Sequence, residues 1–191
     1  MMKAVLLAQK SALCFIPVLA LCMAPLNTLS RYTECKLGRF VVAESSERDQ
    51  PFNRSVSTDK GDRPIAISHG VSLHIAYEET PFVNFKAEKL ADYGNGKQVL
   101  LDSLKYLAAD PGMESAEPLH SAINGFDVYG INRKQKEGGV LSIYLLFRDA
   151  DQTVITLYLL NTPADHPTFG NMDQYRKLRD EFLETYTKCA G

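Results

Sequence analysis

Apolar and polar residues alternate with several rhythms along the chain, and each rhythm predicts an element. The clearest lie at residues 140–148 and 153–161. In the first, Leu141, Ile143, Leu145 and Phe147 share one face, while Val140, Ser142, Tyr144 and Leu146 share the other. In the second, Ile155, Leu157 and Leu159 oppose Val154, Tyr158 and Leu160. A strand with one wet face alternates apolar with charged residues; these two are apolar on both sides, so both faces are expected to be covered. Residues 149–152 between them are too few for a parallel crossover, which needs a dozen residues or more, so the two strands are antiparallel neighbours.

Weaker rhythms fill in the rest. Residues 39–42 predict a short strand, and the polar, glycine- and proline-punctuated residues 44–63 predict an exposed loop or linker. Residues 71–77 and 82–89, separated by Glu78-Glu79-Thr80-Pro81, predict a hairpin. Asn95 then opens a helix, with Gln98 placed to return the capping bond. Leu100, Leu104, Leu107 and Ala108 follow at helical spacing until Asp110-Pro111-Gly112 stops it. Residues 119–133 predict a strand broken or bent near Asn124-Gly125, and Gly138-Gly139 supplies a further turn. A last helix starts near Asn171, with Gln174 three residues on, and runs to about Lys188; Tyr175, Leu178, Phe182 and Tyr186 fall on one side of it. The economical packing is an α+β fold, an antiparallel sheet of about five to six strands with helices on both faces.

The order hairpin, helix, three antiparallel strands and C-terminal helix resembles the PsbP-like superfamily of α/β/α sandwiches. The resemblance covers roughly residues 70–186. It rests on Gly125-Phe126-Asp127-Val128-Tyr129-Gly130, on the pair of long strands ending at Leu160, and on the helix from Met172 to Tyr186. Members range from thylakoid-lumen photosystem subunits to small bacterial envelope proteins, so the resemblance implies an accessory or binding role more often than catalysis.

The ends of the chain add a compartment. Residues 1–30 carry Lys3 and Lys10, an apolar run from Leu13 to Ala24 and no acidic residue, the charged front and apolar middle of a secretory signal peptide. The run is short of the roughly 20 residues of a membrane span and is interrupted by Pro17. Signal peptidase needs small residues at the last and third-last positions. A cut after Ser30 offers Thr28 and Ser30, and one after Ala20 offers Val18 and Ala20. A cut after Ala24 would leave Pro25 first, and a lipoprotein cut before Cys22 would follow the bulky Leu21. An uncleaved anchor stays open, and only then is the membrane a partner. The predicted division is a signal peptide at 1–30, an N-terminal strand and polar loop at 31–69, and one α+β domain at 70–191. Without the leader's two lysines the chain carries 19 basic against 23 acidic residues, with no clustered basic face for nucleic acid. Its cysteines are Cys35, ahead of the first strand, and Cys189, at the end of the last helix. In an oxidising compartment two thiols tend to pair, and chain ends often lie close together. Closing so long a loop restricts the unfolded chain by roughly 4–5 kcal/mol.

Candidate chemistry is sparse. His69 and His74 are five apart, neither a helical i, i+4 pair nor a same-face strand pair. His120 and His166 have no sequence neighbour to join as metal ligands. No Gly-x-Ser-x-Gly elbow exists, and Cys-x-x-Cys is absent. Tyr93-Gly94-Asn95-Gly96-Lys97-Gln98 lacks the first glycine and the Ser or Thr of a phosphate loop and reads as a loop with a cap. Its helix N-terminus is left as a weak anion acceptor. Asn53-Arg54-Ser55 matches the N-glycosylation triplet, which matters only on a eukaryotic secretory route. Arg133, Lys134 and Lys136 make a charged hairpin tip, a solvated turn or a loop for a partner. Tyr129, Tyr144 and Tyr158, on neighbouring strands, pack the core or line a pocket. No motif implies a cofactor. The chain therefore reads as an exported, periplasmic or secreted, non-catalytic accessory or binding protein for a protein partner or small ligand. The alternatives are a ligand carrier or enzyme with a sheet–helix pocket, and a membrane-anchored envelope factor that keeps its leader.

Overall fold

The computed structural model describes residues 29–109, 119–133, 139–161, 169 and 171–191. In chain order the elements are α1 (Ser30–Thr33), β1 (Phe40–Arg48), β2 (Phe52–Thr58), β3 (Gly61–Tyr77), β4 (Thr80–Leu90), α2 (Tyr93–Ala108), β5 (Leu119–Ile123), β6 (Phe126–Asn132), β7 (Gly139–Arg148), β8 (Thr153–Asn161) and α3 (Met172–Ala190). The fold is α+β. One eight-stranded antiparallel sheet runs β1-β3-β4-β8-β7-β6-β5, with β2 added along β3. No described helix is long and apolar enough to cross a membrane.

The sheet is larger than the pattern predicts because the expected loop at 44–63 is strand. β1 extends to Arg48, β2 follows, and both pair with the single long β3, from Phe40↔Tyr77 to Arg48↔Gly70 and from Phe52↔Ile67 to Thr58↔Gly61. β1 is exposed along almost its whole length, and β2 is half-buried at alternate positions and fully buried only at Thr58. An edge ribbon of this kind needs little apolar surface, so its sequence looks like a loop. Its tip closes at Asp59-Lys60. There Thr58 Oγ donates to the Gly61 carbonyl at 2.8 Å and accepts from the Lys60 amide at 3.2 Å.

Residues 49–51 face only residues 68 and 69, and the ladder to β4 also shifts between Ile67 and His69. Such an irregularity re-aims side chains. Ile65 and Ile67 pack with α2, whereas the equally odd-numbered Val71, Leu73 and Ile75 pack with α3. The same division runs through β7 by alternation from Ser142 to Phe147. A register shift between Val140 and Ser142 puts Leu141 in the α3 cluster and Val140 against the α2 cluster, the reverse of the faces the pattern predicts for these two. Leu141, Tyr144 and Leu146 join the cluster containing Tyr175, Leu178, Phe182 and Tyr186 of α3; Ile143, Leu145 and Phe147 join Val99, Leu100 and Leu104 of α2.

Two expected boundaries shift. Asn124 and Gly125 both have positive φ, 48° and 82°, the mark of a two-residue type I′ hairpin. The expected bent strand at 119–133 is thus two strands, β5 and β6. Glu78 and Glu79 make a second such turn at φ 47° and 68°. The helix expected to open at Asn95 instead begins at Tyr93. Asp92 is its cap, in extended conformation and accepting the Asn95 amide at 3.2 Å. The expected stop at residues 110–112 lies outside the described residues. Asn171 caps α3 as its position predicts, accepting the Asp173 amide at 2.8 Å.

The ends meet in the Cys35–Cys189 disulfide, with the α-carbons 5.7 Å apart. Beside it, α3 lays an aromatic face on the sheet. Phe182 meets Phe40 edge-on at 5.2 Å, and Tyr186 meets Phe85 likewise at 5.3 Å. Burial of this face costs polar pairing, which a short chain of hydroxyls supplies. Tyr175 donates to Ser142 at 2.5 Å, and Ser142 and Tyr144 each donate to Asn132 Oδ1 at 2.7 Å. Gly130 sits opposite Tyr144 because the ring occupies its side-chain space; a β-carbon there would lie 2.5 Å from two ring carbons.

Candidate functional site

Along one flank of α2 the sheet is not filled. A cavity of about 390 Å³ is lined by Leu101, Leu104 and Lys105 of α2, Leu119 and His120 of β5, and Tyr129 and Ile131 of β6. Its walls are apolar apart from Lys105, His120 and the Tyr129 hydroxyl. The volume lies within the range of pockets that bury small organic ligands. The β5–β6 hairpin sets the geometry: its tight Asn124-Gly125 turn puts His120 directly across from Tyr129. The two rings stack with centroids 4.2 Å apart and planes 10° from parallel.

A polar chain holds these groups. His120 Nε2 lies 2.7 Å from Asp127 Oδ1. Lys97, from the first turns of α2, reaches Asp127 and Asp149 at 3.1 Å each, and the Tyr93 hydroxyl donates to Asp149 at 2.5 Å. Burial alone would push the Asp127 carboxyl up, but the hydrogen bonds from His120 and Lys97 outweigh it and hold the group below its ordinary range. Asp149 is lowered by its bonds from Tyr93 and Lys97. Burial opposes the Lys97 charge, yet the two carboxylates win and its pKa is raised. Tyr93 is pushed up by burial and by its bond to Asp149, and Tyr129 by burial and the neighbouring Asp127 charge. The network therefore keeps Asp127, Asp149 and Lys97 ionised and fixes one nitrogen of His120.

The sequence-derived candidates separate. Tyr129 lines the cavity. Tyr158 lies on the same face over a smaller cleft of about 30 Å³ beneath α2, which it shares with Arg54, Leu104 and Thr156. Tyr144 faces the other way, in the α3 cluster. Register explains the split: Tyr158 pairs with Ile143, so Tyr144, the next residue on β7, must point to the opposite side. Arg133 directly follows β6, its amide donating to the Leu141 carbonyl at 2.7 Å; Lys134 and Lys136 lie outside the described residues. Among the described residues no group of three or more His, Cys, Asp or Glu could hold a metal. His74 Nδ1 lies 3.1 Å from Glu44, and His166 is outside the described residues. The glycine-lysine segment at 93–98 is the start of α2. Gly96 is there for close packing, since a β-carbon would meet Leu90 Cδ1 at 2.9 Å, and Lys97 is engaged by carboxylates.

Two functional features escape the sequence. Asp127 and Lys97 meet only because β6 and α2 adjoin. Arg54, inside the glycosylation triplet, instead grips Glu88 with bonds of 2.7–3.0 Å, the two side chains 17% and 5% exposed. That pair ties the β2 half of the ribbon back to β4. No family model, curated protein or solved structure matches the chain.

Proposed function

We propose that this is an exported, non-catalytic binding protein of the cell envelope, an α/β/α sandwich that receives a small ligand between α2 and the β5–β6 hairpin. The observation that carries the reading is the apolar 390 Å³ cavity with Lys105 and His120 in its lining. Lys105 makes no ion pair among the described residues. The complementary ligand has an apolar body and one acidic group. Export is supported by the leader pattern and is compatible with the disulfide. The sandwich arrangement is supported by the two clusters, one built with each long helix. The order of elements that resembles PsbP-like proteins fits an accessory role.

The chain has no tryptophan, so Leu119→Trp places a unique fluorophore in the lining. Titration with 1-anilinonaphthalene-8-sulfonate, an apolar ring system with one sulfonate, should shift the tryptophan emission saturably at one equivalent. Lys105→Glu should weaken that binding at least several-fold. Unsaturable binding, or equal binding by Lys105→Glu, would count against the pocket. The His120–Asp127 pair beside the cavity favours a second reading, an enzyme using the same pocket. Turnover of an acidic aromatic ester by the intact protein, abolished in His120→Gln, would replace the binding reading with that one.

A further inference from the structure

The first described residues belong to the core rather than to a leader. Leu29 and Tyr32 are both 0% exposed and lie in the α3 cluster. The Leu29 carbonyl accepts the Tyr32 amide, and the Ser30 carbonyl accepts the Glu34 amide, both at 2.9 Å, closing the single turn of α1. Arg31 ties that turn to the other end of the chain. Its guanidinium donates to the carbonyls of Ala190 at 3.0 Å and Gly191 at 2.9 Å. The Tyr32 hydroxyl donates to Asp151, and the Tyr32 carbonyl accepts from Tyr186 at 3.2 Å. Cys35 then fixes the segment covalently to α3.

We infer that export processing cuts this chain upstream of Leu29, after Ala20, leaving Leu21 as the first residue. The inference rests on the export reading of the leader. A cut after Ser30 has acceptable small residues, but it would strip Leu29 out of the core. It would also delete the two carbonyls that close α1. Removing a fully buried leucine costs both its transfer energy and the cavity left behind. A cut after Ala24 puts Pro25 first, which signal peptidases reject. Of the cuts upstream of Leu29, the one after Ala20 places Val18 and Ala20 at the third-last and last positions. One consequence distinguishes the two cuts chemically. A chain starting at Leu21 retains Cys22 beside the Cys35–Cys189 pair, an odd number of cysteines; a chain starting at Arg31 has none to spare.

Intact mass and N-terminal sequencing of the full chain, exported by an expressing bacterium, test this. A first residue of Leu21, with one cysteine beyond the disulfide, is the expected result. A start between Cys22 and Leu29 overturns the cut after Ala20. A start at Arg31 or later overturns the inference while leaving export intact; retention of Met1 overturns cleavage, and retention of Met1 with Cys35 and Cys189 both reduced overturns the export reading itself. Purified chains beginning at Leu21 and at Arg31 give an independent measure. The shorter one should melt roughly 5–15 °C lower or fail to fold, and Leu29→Ala in the longer chain should lower its midpoint in the same direction. Equal midpoints in all three overturn the inference.

Discussion

The two hydrophobic clusters, one built with each long helix, are made differently. On the α3 side, aromatic rings interlock, a chain of hydroxyls satisfies the buried polar atoms, and α1 and the disulfide close the margin. On the α2 side the aliphatic packing is thinner. The 390 Å³ cavity lies there, and ion pairs join the elements alongside a few ring contacts such as Tyr93 with Phe147 and His120 with Tyr129. Binding sites are drawn from the less stable parts of a structure, held by more stable ones. Here the division is between two clusters of one fold, so the proposed ligand binding and stability should be separable by mutation.

The largest effect is expected from the clasp. Cys35→Ser with Cys189→Ser opens a loop with a sequence separation of 154 and should cost about 4–5 kcal/mol in the entropy model. Denaturant unfolding reads that loss, and an unchanged midpoint would show that the clasp does not stabilise the α3 side. Phe182→Ala comes next. The ring is 0% exposed and packs against Phe40, Phe82 and Tyr186, so truncation should cost about 3–5 kcal/mol. Both variants, at temperatures where they stay folded, should bind the sulfonate probe as the parent does. Weakened binding in either would show the faces to be coupled.

A smaller loss tests the α2 side. Arg54→Ala leaves the Glu88 carboxylate buried without its guanidinium. Breaking buried pairs costs about 3–5 kcal/mol; because Arg54 keeps some exposure, about 2–3 kcal/mol is expected here. Replacing both residues with Arg54→Met and Glu88→Leu should recover most of it, since apolar isosteres often match a buried pair. If the double variant is no more stable than Arg54→Ala, charge burial is not what the pair resolves.

The α3 side was largely legible in the sequence, and the α2 side was not. Tyr175, Leu178, Phe182 and Tyr186 recur at helical spacing, Asn171 caps their helix, and Cys35 and Cys189 pair as their placement suggests. Local periodicity suffices where a helix lays one apolar stripe on a doubly buried sheet. The ribbon of β1, β2 and β3 defeats the same reasoning. β1 is exposed on both sides, the inward positions of β2 include the polar Arg54 and Thr58, and the irregularity at residues 68 and 69 reverses which face the odd positions occupy. The candidate site is illegible for a related reason. His120 and Asp127 are brought together by a hairpin turn that reads as a bend, and Lys97 joins them from another element.

That polar chain yields the smallest predicted effect and the finest test of the contrast. Lys97→Met removes the ammonium between Asp127 and Asp149 while keeping most of the side chain's bulk. At neutral pH the loss should be below about 1 kcal/mol, because Asp149 is well exposed and exposed pairs contribute little. The pH dependence is more telling. Both carboxyls lie below their ordinary range in the folded protein, so on acidification the unfolded chain takes up protons first. The stabilisation is fully present above the unfolded value of about 3.9 and is lost as pH falls through the lower folded values. Without Lys97 the folded values should rise toward the unfolded one, and less stability remains to be lost. The drop in thermal midpoint from pH 7 to pH 3 should therefore be smaller in Lys97→Met than in the parent. An equal drop would place the acid sensitivity elsewhere, outside the chain that positions His120 at the cavity.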